Sequence, residues 1–362
     1  MKKKNRILVI SNLYPSVKDN TYGTFVHNFV QSLCEKMPDC KIDICVIKGR
    51  PISKIEKLIK YLALYISIFY QVLVFRYDLI YVHYITFSSI PLRFLSKIKK
   101  LNIAFNIHGD DLLTKTKIAE SVLIYILPIL KKSKLIVLPS DFFMHLLLNR
   151  FPSIKKEQIY ISASSGIGDS FFVCHNKQGL NLELGYVSRI DEGKGWNIFC
   201  DAVGKLVNMG VNVHAVMAGG GGQVELLKSK IESMNLTNNI SYLGAVEQEK
   251  LSNLYSSIDL FVFPTLLWES LGLVGLEAMA SFTPVIGSDL GGLKSFIQDN
   301  YNGYLYKAGD SDELCIKILK YLSLTDIEKK IMGDNARQTA MLYKSDLVST
   351  ALVKKIKYIY NL

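Results

Sequence analysis

Short, mostly apolar runs alternate along this chain with longer stretches in which apolar residues return every three or four positions. Runs at 6–10, 42–47, 79–84, 103–107, 135–138 and 159–162 read as strands in the first half, and runs at 182–187, 211–218, 240–243, 258–263 and 285–286 in the second. After the first run a polar loop leads to Phe25, Val26, Phe29, Val30 and Leu33, which share one helical face. Strands without polar alternation, separated by helix-length spacers, predict parallel sheets with helices on both faces. With 362 residues and two such series, the chain has room for two domains. The polar tract 175–179 reads as a linker, so the expected domains are 1–175 and 176–345. Residues 346–362 follow as a last helix carrying Leu347, Leu352, Ile356 and Ile359. The longest uncharged stretch, 61–75, lies between Lys60 and Arg76 and falls short of the ~17 residues needed to span a bilayer. It reads as a buried crossover helix, with an interfacial helix as the alternative.

The stretch 264–280 is the most informative. An apolar strand closes at Pro264, and Leu271, Leu273, Val274, Leu276, Ala278 and Met279 then recur at helical spacing, with Ser270 available as a cap. Glu269 stands at the mouth of the loop and Glu277 about two turns into the helix, while Gly272 and Gly275 leave its first turns without side chains. A helix start offers unpaired N–H groups and positive potential, so Ser270, Leu271 and Gly272 suit a phosphate approaching closely. Carboxylates accept hydrogen bonds from vicinal hydroxyls, so the two glutamates suit a sugar nucleotide lying along the helix end. The alternative is ordinary: glutamates near and within helix starts are common in soluble proteins.

Loops at the carboxyl ends of the strands are where open α/β sheets bind ligands, and in the first half these contain Gly23, His108-Gly109-Asp110-Asp111 and Ser140. In the second half Arg189 and Lys194, five apart across a glycine loop, can converge on one diphosphate and neutralise the charge that grows as it leaves. Gly219 to Gly222 lack the G-x4-G-K-[ST] pattern, which rejects a P-loop and leaves a turn flanking the nucleotide.

Charge changes the picture. Lys and Arg number 25 against 12 Asp and Glu over residues 1–175, but 18 against 20 over 176–362, so the net charge of +11 sits in the first half. A basic half suits a polyanion. No zinc-finger spacing or RNA-recognition aromatic signature is present, so an anionic membrane surface is favoured over nucleic acid, with a merely solubilising surface as the alternative. The six cysteines form no C-x2-C pair and read as reduced core thiols, and the four apolar residues at 7–10 are too few for a signal-peptide core. Both point to a cytoplasmic protein.

Glu269-x7-Glu277, with Gly272 and Glu-Ala-Met-Ala at 277–280, resembles the signature of the GT4-type retaining glycosyltransferases. That resemblance implies the GT-B fold, α/β with two doubly wound Rossmann-like domains facing a central cleft and a last helix crossing back to the first. Arg189-x4-Lys194-Gly195 matches the family's donor motif, and His-Gly-Asp-Asp at 108–111 resembles its acceptor-side loop, where a histidine contacts the transferred sugar. By resemblance His108 and Glu269 are catalytic, Gly109, Asp110 and Asp111 lie on the acceptor side, and Arg189, Lys194, Gly23, Ser270, Leu271 and Gly272 take the donor diphosphate. Glu277 takes the ribose, and backbone at Gly244 and Val246 grips the base. Asp289-Leu-Gly-Gly-Leu resembles the family's glycine pair, the alternative being a tight turn. The chain departs from the pattern at Tyr22-Gly23-Thr24, where many members have paired glycines, and at Ser-Gly-Ile-Gly-Asp, 165–169, where they have Asn-Gly-(Ile/Val)-Asp.

The expected activity is hexosyl transfer from a UDP- or GDP-sugar, with retention and without a cofactor or bound metal, since no D-x-D flanked by apolar strand residues stands in a plausible cleft loop. The expected acceptor is a saccharide, free or polyprenyl-diphosphate-linked, of a surface polysaccharide, and the expected location the inner face of the cell membrane, peripherally held. A nucleotide-sugar epimerase of the same fold and a non-catalytic two-domain sugar-binding protein are the rival readings.

Overall fold

The computed structural model describes all residues except 1–3, 20–21, 115, 164 and 175–180, so the expected linker at 175–179 lies outside the described residues. The chain divides into two compact units, Met1–Ser165 with Asp346–Leu362, and Gly166–Ser345.

The first unit runs β1 (Arg6–Tyr14), α1 (Thr24–Lys36), β2 (Lys41–Lys48), α2 (Lys54–Val74), β3 (Leu79–His83), α3 (Ile85–Ser88), α4 (Ile90–Leu95), β4 (Ile103–Asn106), α5 (Gly109–Leu112), α6 (Lys117–Lys132), β5 (Leu135–Leu138), α7 (Asp141–Arg150) and β6 (Ile159–Ile161). The second runs β7 (Leu182–Val187), α8 (Trp196–Asn208), β8 (Val213–Ala218), α9 (Val224–Ser233), β9 (Ile240–Tyr242), α10 (Gln248–Ser257), β10 (Leu260–Phe263), α11 (Leu273–Ala280), β11 (Val285–Ser288), β12 (Gly303–Tyr306), α12 (Ser311–Leu322) and α13 (Asp326–Met341). The last helix, α14 (Ser345–Tyr360), returns to the first unit.

Each unit holds one six-stranded sheet, ordered β2-β1-β3-β4-β5-β6 and β12-β11-β10-β7-β8-β9, and every strand pair is parallel. Alternation of side chains along a strand, with helices covering both faces of the sheet, explains why the runs are mostly apolar. Leu8, Ile10, Ile80, Val82, Phe105 and Leu138 face a core shared with α2, α4, α6 and α7. Their neighbours Ile7, Val9, Leu79, Tyr81, Ala104 and Val137 face α1 and α14 on the other side. In α14 the buried positions are Val348, Leu352, Val353 and Ile356, whereas Leu347 is exposed. Lys36 Nζ pairs with Asp346 at 2.5 Å, and the Tyr360 hydroxyl donates to Ile103 O at 2.9 Å, fixing both ends of that helix.

Three expectations need correction, and one strand was not anticipated. The first unit ends earlier than 175, because the turn at 166–171 packs on the second unit's own elements. Ile167 bridges to Lys344, and Phe171 lies against the Tyr255 ring and accepts from the Ser281 hydroxyl through its carbonyl. Strand β12 escaped notice because it is four residues long and opens on a glycine whose Cα lies against the Val285 backbone. Helix α2 is a crossover helix but not a buried one: Leu64, Ile68 and Val72 pack inward while Ile55, Ile59, Leu62, Ile66 and Tyr70 are exposed. By length and composition alone it could cross a membrane. Finally, Cys45, Cys200 and Cys315 are core thiols, but Cys34 and Cys174 are exposed.

Candidate functional site

In the second unit β7 lies centrally, with β8 and β9 on one side and β10 to β12 on the other. The connections leaving β7 and β10 therefore diverge, and the crevice at such a switch point is where a doubly wound sheet binds a ligand. The two loops flanking it are 188–195 and 264–272, and they are built against each other. The Tyr186 hydroxyl donates to Arg189 O at 3.3 Å and Lys194 O at 3.2 Å, and Leu266 N–H donates to Gly193 O at 2.7 Å. Gly195, the residue preceding α8, has φ 73°, and a Cβ there would lie 1.7 Å from Pro264 O, so only glycine fits. This packing brings Lys194 Nζ to 2.7 Å from Glu269 Oε1, with the Thr265 hydroxyl donating to the same oxygen at 3.1 Å. An ammonium carries three donors and a carboxylate two oxygens, so the pair retains bonding capacity for a ligand's anionic and hydroxyl groups.

Arg189 does not converge on this pair; its guanidinium is largely exposed and bonds Asp191 at 2.9 Å. The glycine turn 219–222 lies against the same loop, with Ile190 N–H donating to Gly220 O at 2.9 Å. Gly219 N–H donates to Gly244 O at 2.7 Å, which sets the β9 end, Gly244 with half-buried Val246, beside that turn.

Helix α11 begins at Leu273, and its cap is Gly272 in the left-handed region rather than Ser270. Ser270 and the buried Leu271 belong to the loop before it, where Glu269 O accepts from Gly292 N–H at 2.9 Å. Gly272 and Gly275 make room for packing: a Cβ on the first would meet Phe263 at 2.8 Å and on the second Phe296 at 3.0 Å. Glu277 is buried between α11 and α10, where the Tyr255 hydroxyl donates to its Oε2 at 3.1 Å. Burial pushes its carboxyl up to about 7, against the opposing pull of that hydroxyl.

In the first unit the strand order switches between β1 and β3, and Gly23, with φ 75°, caps α1 in the loop after β1. His108 follows β4, its ring buried in an aromatic cluster: stacked on Tyr84 with centroids 4.3 Å apart, tilted on Phe25 at 5.0 Å, and with Nε2 3.3 Å from His83 Nδ1. Burial lowers His108 to about 3, so at neutral pH it is an uncharged hydrogen-bonding group. Asp111, expected on the acceptor side, is instead buried and committed. Its carboxylate accepts from the Thr86 hydroxyl at 2.7 Å and from the N–H groups of Thr86 and His108 at 3.0 Å each. An acid in a helix's first turn reaches back to the orphan N–H groups there, and this one fixes the His108 backbone. Burial still holds it up at about 6. Gly109 is half-buried and Asp110 exposed.

The residues that sequence reasoning passed over are those that hold the expected ones: Tyr186, Thr265, Tyr255, His83 and Tyr84. A tyrosine in an apolar strand or helix reads as core, and only its hydroxyl's partner reveals the second task.

Residues 172–339 match the family described as glycosyl transferases group 1. Over 172 residues the chain is 30% identical to an uncharacterized glycosyltransferase of Methanocaldococcus jannaschii, covering 44% of each chain. Over 170 residues it is 30% identical to the phosphatidyl-myo-inositol mannosyltransferase of Mycobacterium leprae, covering 47% of this chain and 44% of that one. The match thus spans less than half the length of either relative. Among solved structures, sucrose-phosphate synthase from Thermosynechococcus elongatus superposes with a TM-score of 0.78 at 18% identity, covering 99% of both chains. HepE from Anabaena, in complex with UDP, superposes with a TM-score of 0.75 at 18% identity, covering 98% of this chain and 100% of that one. Over residues 172–339, less than half of its length, the chain thus resembles the glycosyl transferases group 1 family, and its fold is the GT-B fold of those solved structures.

Proposed function

We propose that the protein is a retaining hexosyltransferase that moves a sugar from a UDP- or GDP-sugar to a hydroxyl of a saccharide acceptor, lipid-linked at the inner membrane face. The observation that carries the reading is the Lys194–Glu269 pair, 2.7 Å apart at the switch point of the second unit. A cation and a hydroxyl-accepting carboxylate side by side match a donor's diphosphate and sugar. The UDP held by HepE supports a uridine donor. The basic first half supports an acceptor at an anionic surface.

In this reading Lys194, joined by Arg189 once its side chain turns from Asp191, neutralises the diphosphate. Glu269 orients the sugar hydroxyls, Glu277 accepts from the ribose, and neutral His108 hydrogen-bonds the transferred sugar. The bond between the anomeric carbon and the phosphate oxygen breaks with its electron pair going to phosphate. The acceptor oxygen bonds that carbon from the same face, and its proton passes to the departing phosphate. No protein nucleophile is required, and the charge developing on the diphosphate is what Lys194 stabilises most in the transition state. Thermal shifts with a panel of UDP-, GDP- and ADP-sugars test the donor class. Stabilisation by one base series is expected, and no shift with any of them at millimolar concentration would overturn the reading.

A further inference from the structure

Helix α2 is apolar on two opposite sides. Leu64, Ile68 and Val72 lie in the core beneath the sheet, and on the far side Ile55, Ile59, Leu62, Ile66, Tyr70 and Leu73 form a solvent-facing stripe at helical spacing. Ile59 is 59% and Ile66 69% exposed, well beyond what scattered surface aliphatics would need explaining. The stripe does not stand alone. Phe69 of α2 meets the ring of Phe94 on α4 at 5.9 Å, and Phe94 and Ile98 are themselves exposed.

Charge around this face is predominantly positive: Glu56, in the first turn of α2, is paired with Lys60 at 2.9 Å. Residues 57–77, 79–109 and 121–140 contain no Asp or Glu, and carry Lys57, Lys60, Arg76, Arg93, three lysines at 97–100 and three at 131–134. The two lysine clusters, separated in sequence, are brought together: Lys97, Lys100, Lys132 and Lys134 line one groove of about 490 Å³ at the amino ends of β4 and β5. Lys99, at its edge, bonds the carbonyls of Val72 and Phe75, which ties the groove to the end of α2.

We infer that this face is a membrane-docking surface, with α2 lying in the plane of an anionic bilayer, its outward stripe in the acyl boundary and the lysine groove on lipid phosphates. An apolar stripe flanked by cations is what an interfacial helix requires. A second copy of this chain is the weaker occupant, because a two-fold contact would set the same cations against each other. The inference deepens the proposed function, on which it rests for a membrane-held acceptor.

The test is co-sedimentation of the full chain with vesicles of phosphatidylcholine alone or with roughly one-third phosphatidylglycerol. Ile59→Ser with Ile66→Ser should lower partitioning into the anionic vesicles by ~10-fold or more, and should leave a residue-poor pellet at high salt where the wild type still pellets. Because both side chains are exposed, the variant should melt as the wild type does. Lys97→Ala with Lys132→Ala should lower binding mainly at low salt. Ile66→Trp should gain emission quenched by brominated acyl chains. Unchanged partitioning of the isoleucine variant, absence of that quenching, or a wild-type dimer that the isoleucine variant dissociates would overturn the inference. Sugar transfer to a soluble acceptor without vesicle binding would refute the docking surface and leave the proposed activity standing. Vesicle binding through α2 without turnover of any nucleotide-sugar would do the reverse.

Discussion

Replacing Glu277 by Gln should stabilise the second unit at alkaline pH while weakening its grip on nucleotide. The carboxyl is buried to 8% exposure, and burial moves it from an ordinary 4.5 to about 7. Below pH 4.5 it is protonated in both folded and unfolded chains and carries no pH-dependent cost. As pH rises from there the unfolded chain ionises first, so stability falls until the folded carboxyl also ionises near 7, above which the full cost is present. At about 1.4 kcal/mol for each pH unit of that gap, the cost comes to roughly 3 kcal/mol. Glutamine keeps an acceptor for the Tyr255 hydroxyl and cannot ionise, so Glu277→Gln should gain ~3 kcal/mol at pH 8 and under ~1 kcal/mol at pH 5. Both tryptophans of the chain, Trp196 and Trp268, lie in the second unit, so urea unfolding followed by tryptophan fluorescence reads that unit directly. The same variant should bind UDP or GDP about tenfold more weakly, having lost a charged acceptor for ribose hydroxyls. An equal gain at both pH values, or a loss at pH 8, would refute the burial argument. Unchanged nucleotide affinity would make Glu277 a structural acid only.

Lys194→Ala and Arg189→Ala should each lower initial rates by about 10²-fold, the scale of losing a group that stabilises charge on a leaving diphosphate, and near-wild-type rates in both would remove that role. Glu269→Gln should reduce turnover more than nucleotide affinity, measured by rate and by calorimetric titration, and equal effects on both would place Glu269 at the nucleotide instead. Gly195→Ala should lower the urea midpoint of the second unit by at least ~2 kcal/mol in stability terms, since the position is left-handed and a Cβ meets Pro264 O; a wild-type midpoint would show that the loop yields.

Element type and order were legible because the central strands are buried on both faces and so read as mostly apolar runs, with β5 and β7 matched to the residue. What sequence could not resolve was which way a residue's second surface points. On α2 the apolar pattern continues around the helix, and nothing in the pattern separates the three core positions from the outward stripe. The glycines at 272 and 275 read as room for a ligand, whereas Phe263 and Phe296, which fill the space their side chains would take, are far off in sequence or hidden in other elements and leave no local signal. Arg189 and Lys194 look equivalent by spacing. Their difference comes from the short reach of Asp191 to one and the packing of the 264–272 loop around the other. Asp110 and Asp111 differ for a similar reason: only the second stands where a first-turn carboxylate can turn back to the N–H groups of Thr86 and His108.

The central claim is tested most directly by the anomeric configuration of the product. A nucleotide-sugar labelled with ¹³C at its anomeric carbon, incubated with the full chain and a membrane-lipid acceptor fraction in the presence of EDTA, yields a product whose anomeric signal NMR reads. The account predicts label in a new glycosidic bond with the donor's own configuration, formed as fast with EDTA as without it. An inverted anomeric signal, transfer abolished by EDTA, or label appearing only in an epimerised nucleotide-sugar would contradict it.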